Sequence, residues 1–82
     1  MKMRSKPSPR FAVCIRNDDN PASLELRKFY EVVPDPEGER LGMLRVIDES
    51  GEDYLYPRDN FLEVKLSERE ELAIRGELRL AS

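Results

Sequence analysis

The chain has 82 residues, a formal net charge of −3 and 38% charged side chains, which bounds it to one small domain with a thin core. With no histidine and one cysteine, Cys14, it has no intramolecular disulfide and no thiolate or imidazole zinc site within one chain. No apolar run approaches the ~20 residues that span a bilayer. The N-terminal stretch also lacks the apolar segment of a secretory signal, so a reducing cytoplasm is the expected location.

The charge is unevenly placed. Lys2, Arg4, Lys6 and Arg10 give residues 1–10 a charge of +4 and leave −7 for the remainder. Residues 1–9, interrupted by Pro7 and Pro9, read as a disordered basic arm, either a solubilising tail or a segment that meets phosphate or a partner. An acidic body does not suit nucleic acid, whose binders spread positive charge over a folded face.

Phe11 to Ile15 reads as a first strand, with Phe11, Val13 and Ile15 on one face and Ala12 and Cys14 on the other. Cys14 is expected as a small packed hydrophobe, since no histidine is present to activate it. Asn17-Asp18-Asp19-Asn20-Pro21 is a loop. It lacks the spaced ligands, glycine and distal glutamate of a calcium loop, so no metal site is expected there. Leu24-Glu25-Leu26 alternates, and Phe29 to Val33 forms a second strand, with Leu24, Leu26, Tyr30 and Val32 inward. Pro34 to Gly38 ends that strand, and residues 34–43 read as a long polar connection.

Leu44 to Ile47 and Tyr54 to Tyr56 then form a hairpin, with Ser50-Gly51 as a two-residue turn. That register pairs Asp48 with Asp53, Ile47 with Tyr54, Val46 with Leu55 and Arg45 with Tyr56. Leu44, Val46 and Leu55 fall on a core face, while Arg45, Ile47, Tyr54 and Tyr56 share an amphipathic one, with a cation–π contact open to Arg45 and Tyr56. A slip of one residue would exchange these faces. Pro57 to Asn60 reads as one 3₁₀ turn, and Phe61 to Val64 as the last strand. Ser67-x-x-Glu70 is a capping box and Gly76 a stop, which together predict a helix over Glu68–Arg75. Residues 77–82 read as frayed, although Leu78 and Leu80 alternate.

This order of elements, and the residues Tyr56-Pro57-Arg58-Asp59-Asn60-Phe61, resemble the SH3-like barrel superfamily, in which an apolar residue is followed by Pro-Ser-Asn-Tyr-Val. Ala22-Ser23-Leu24-Glu25-Leu26 is similar to the diverging turn of those domains. The nearest likeness is to small, uncharacterised bacterial SH3-like proteins with an acidic hairpin. The resemblance covers roughly residues 11–64 and implies an all-β, five-stranded barrel over 10–66, followed by the helix and tail at 67–82. It also implies that Tyr56 is buried, in conflict with the two-residue turn. The groove that binds proline-rich peptides in SH3 domains is nearly absent. There is no tryptophan, Cys14 and Arg16 stand where paired tyrosines would be, and Asn60 replaces the groove tyrosine, leaving Pro57 alone.

The function expected from these residues is a non-catalytic interaction or regulatory module, with no cofactor, for a protein partner, existing as a monomer or weak homodimer. Arg45, Ile47, Tyr54, Tyr56 and Arg58 are its candidate contact residues, because tyrosine and arginine are enriched at interface hot spots. The other reading of that face is cover by the C-terminal helix. A ribonucleoprotein role through Lys2, Arg4, Lys6 and Arg10 is the alternative function. The acids Asp48, Glu49, Glu52 and Asp53 read as a solvated hairpin tip rather than as an acid–base or metal site.

Overall fold

The structure, a computed structural model, describes residues 11–76. The basic arm, including Lys2, Arg4, Lys6 and Arg10, and residues 77–82 lie outside the described residues. The strands are β1 (Phe11–Cys14), β2 (Phe29–Val33), β3 (Met43–Ile47), β4 (Asp53–Pro57) and β5 (Phe61–Val64). A helix, α1 (Pro36–Arg40), stands between β2 and β3. A 3₁₀ turn (Arg58–Asn60) joins β4 to β5, and α2 (Glu68–Arg75) closes the order.

The strands form one antiparallel sheet in the order β4-β3-β2-β1-β5. β2 serves both halves: Phe29, Tyr30 and Glu31 pair with β1, and Val32 and Val33 pair with β3. The sheet is not closed by hydrogen bonds, and β4 and β5 are its edges among the described residues. Its inner face supplies most of the core, Ala12, Cys14, Tyr30, Val32, Leu44, Val46, Tyr56 and Phe61, and Leu24 joins it from the connection between β1 and β2. The two edges meet there through side chains, with the Tyr56 and Phe61 rings edge to face at 6.2 Å between centroids.

The hairpin register differs by one residue from that expected. Leu44 faces Tyr56, Arg45 faces Leu55, Val46 faces Tyr54 and Ile47 faces Asp53. The reason is a three-residue turn, Glu49-Ser50-Gly51. The Asp48 amide donates to the Glu52 carbonyl at 3.1 Å, and the amide of Gly51, whose φ is +86°, donates to the Asp48 carbonyl. Because side chains alternate, the slip exchanges the faces of the β4 residues, while Leu44 and Val46 stay in the core as expected. Tyr56 becomes core and Leu55 turns outward, which also removes the proposed Arg45–Tyr56 pair and the Asp48–Asp53 pair. Leu26, expected inward, is exposed as well.

The connection after β2 is a helix rather than a plain loop. Asp35 caps it by accepting from the Gly38 amide at 3.0 Å, and Pro36 occupies the first turn, where no amide partner is required. The Glu39 carboxylate accepts the Asp35 amide at 3.2 Å. Gly38 lies against β4, since a Cβ there would sit 2.7 Å from Leu55 Cδ2. α2 has the expected bounds, with a complete Ser67–Glu70 capping box and Gly76 left-handed at its end. It docks through Arg75, whose guanidinium lies over the Phe11 ring at 5.2 Å and bonds Glu31 at 3.0 Å.

Candidate functional site

The structure separates the five expected contact residues. Tyr54 and Tyr56 share one face of β4; Arg45 and Ile47 lie on the opposite face of β3. Tyr56 is buried at 6% exposure, whereas Tyr54, at 49%, points its hydroxyl to Glu52. Arg45 is engaged by Asp35 at 2.8 Å, and Arg58 by Glu63 at 2.5 Å. A Gly38 amide first, and Arg45 second, hold the Asp35 carboxyl below the usual range. Ile47 is half-buried. Among the described residues no helix covers Tyr54: α2 reaches the outer side of β1 and β2 instead.

The acidic hairpin tip, expected as merely solvated, is a latch. Asp48 is buried; its Oδ1 accepts the Ser50 amide and hydroxyl at 2.8 and 2.5 Å, and its Oδ2 accepts the Tyr56 hydroxyl at 2.5 Å. Glu49 accepts both Lys28 Nζ at 2.7 Å and the Tyr30 hydroxyl at 2.5 Å. The Tyr30 oxygen in turn accepts the Glu25 amide, and the Glu49 amide donates to the Ser23 carbonyl. These bonds tie the tip to the long excursion between β1 and β2. Such a tip is occupied by its own fold, and among the described residues no group of three or more possible metal ligands exists.

The latch predicts a two-sided pH dependence. Burial pushes the Asp48 carboxyl up, but the bonds from Ser50 and Tyr56 outweigh it and hold the group below the usual range. The Lys28 ammonium first, and the Tyr30 phenol second, hold Glu49 low. Depressed carboxyls stabilise the fold above the unfolded value near ~4, and that stability is lost as pH falls through the folded values. Tyr30 and Tyr56 are pushed up, by burial first and by their carboxylate partners second. Their contribution is present below ~10 and lost as pH rises through the folded values. Urea midpoints should therefore be flat from about pH 5 to 9 and fall on both sides. A midpoint that rises below pH ~4 would contradict the latch.

Two surface features remain. A groove of about 410 Å³ runs between the end of α2 and the hairpin tip, lined by Phe29, Glu31, Ile47, Glu49 and Ile74 among others. The second feature is the outer face of β2, β1 and β5. Val13 pairs with Phe29 on one side and Leu62 on the other, so the three form one outward row. Ile15, one step beyond β1, extends that face by alternation. Phe29, Leu62 and Ile15 are 38%, 57% and 52% exposed. Val13, between Phe29 and Leu62, is half-buried, and Phe29 also lines the groove at the end of α2. The candidate contacts expected from sequence did not include Phe29 or Leu62. Their signal is an apolar residue beside the inward one, as in Phe61-Leu62.

Comparison of the chain with protein-family models, with curated proteins and with solved structures finds no match.

Proposed function

We propose that this chain is a small, non-catalytic SH3-like module that binds a protein partner. The strand order, with β2 shared between two halves and a 3₁₀ turn before β5, supports the SH3-like reading. The binding reading rests on the contiguous outer row Phe29–Val13–Leu62 with Ile15, because exposed apolar residues gathered in one patch mark interaction surfaces. Tyr54 stands apart from this row, on the opposite edge strand.

The charges of the body favour protein over nucleic acid. Arg16, Lys28, Arg40, Arg45, Arg58 and Arg75 each lie within ion-pair distance of a carboxylate of the same fold. Cations held in such pairs are less available to neutralise a phosphate backbone. Leu62→Asp provides the test, since it places a charge in the patch at an exposed position and leaves the core intact. Immobilised wild-type chain and Tyr54→Ala should retain the same binding protein from a lysate of the source organism. Leu62→Asp should lose it. Equal recovery on all three would end the proposal for this face.

A further inference from the structure

Beside the apolar row lies one residue in an unexpected backbone state. Arg27 has a φ of +61° and is the one non-glycine residue with positive φ among those described. Its amide donates to the Cys14 carbonyl at 2.7 Å, while the Cys14 amide donates to the Lys28 carbonyl at 3.0 Å. Two residues thus oppose one, a bulge whose first position ordinarily holds glycine because a side chain is strained there. Local backbone energetics would select glycine. An arginine held in its place is the kind of strain that accumulates where a side chain is used.

The arginine's surroundings point to that use. Arg27 is exposed, two residues from Phe29, and bonded through its own amide to the residue preceding Ile15. It therefore borders the apolar face. No ion pair or side-chain hydrogen bond engages it among the described residues. Lys65 and Arg69 are also without such partners, but neither has a positive φ. A guanidinium offers a planar fork of donors that matches a carboxylate.

We infer that the face takes an apolar segment of a partner protein carrying a carboxylate that pairs with Arg27. This inference rests on the interaction-module reading above. The body's own charge limits the partner's. Net −7 repels a strongly acidic chain, while screening within ~8–10 Å leaves one local carboxylate free to pair. The segment is therefore mainly apolar, with one or two acids, rather than a polyanion.

The test uses the full chain and synthetic ten-residue peptides, with leucine at alternate positions and serine between, carrying one glutamate, one lysine or neither. Fluorescence anisotropy should show the glutamate peptide bound about fivefold or more tightly than the lysine peptide. Arg27→Gly should abolish that preference while raising the melting temperature, because glycine relieves the strain. Arg27→Glu should reverse it. Leu62→Asp should weaken all three peptides. Equal binding of the glutamate and lysine peptides, or a preference that survives Arg27→Gly, overturns the inference; if Leu62→Asp still weakens binding, the module reading stands. Binding by no peptide, or binding indifferent to Leu62→Asp, overturns both.

Discussion

Tyr56→Ala should lower the unfolding free energy by about 3–5 kcal/mol, whereas Tyr54→Ala, two residues away on the same strand face, should change it by less than about 1 kcal/mol. Tyr56 is 6% exposed, its ring meets Phe61 edge to face, and its hydroxyl bonds Asp48. Alanine would remove an aromatic side chain at the point where β4 and β5 approach each other, and would also leave a buried carboxylate short of a donor. Tyr54 is half exposed and bonds only Glu52 at the surface. Tyr56→Phe separates the two contributions, because it keeps the ring and should cost about 1–3 kcal/mol for the unpartnered Asp48 oxygen. Small domains hold roughly 5–15 kcal/mol in total, so Tyr56→Ala should bring this one close to its unfolding threshold. Urea denaturation of the three variants measures the differences. Equal losses for Tyr54→Ala and Tyr56→Ala would refute the hairpin register.

The hairpin shows where local reading of the sequence runs out. Ser50-Gly51 suits a two-residue turn, and Glu49-Ser50-Gly51 suits a three-residue one, so turn chemistry alone does not choose. The choice is made by Asp48, which turns its carboxylate onto Ser50 and takes the Tyr56 hydroxyl. That second bond spans eight residues and depends on the register it helps to fix. By contrast α2 was legible to the residue, because its capping box and glycine stop are contacts within ten positions of the chain. Helix α1 was hidden by its own composition: Pro34, Pro36 and Gly38 read as breakers, yet proline in the first turn of a helix is compatible with it. The apolar row on the outer face was hidden for another reason. Phe29 and Leu62 are far apart in the sequence and become neighbours only across β1. Arg27 carries no sequence signal at all, since nothing in Leu26-Arg27-Lys28 announces a left-handed residue.

Leu24→Ala should cost about 2–5 kcal/mol, as much as a strand position in the core, although Leu24 belongs to no strand. It is fully buried, within an excursion whose backbone is otherwise held by short-range turns. The Asn17 side-chain amide donates to its carbonyl at 2.9 Å, and the neighbouring Ser23 carbonyl receives the Glu49 amide. Leu24 is thus the apolar anchor under a segment that the hairpin tip grips from above. Leu26→Ala, at an exposed position of the same segment, should cost less than about 1 kcal/mol. The loss at Leu24 should also be local before it is global: limited proteolysis ought to cut the variant between residues 16 and 27 at denaturant concentrations where the sheet remains folded. Because Arg27 and Phe29 follow immediately on this anchor, loosening it should weaken peptide binding by at least the fraction of molecules in which the segment is open. A Leu24→Ala protein as stable and as protease-resistant as wild type would mean that the excursion is held by its polar bonds alone, and that burial of Leu24 contributes nothing to presenting the proposed binding face.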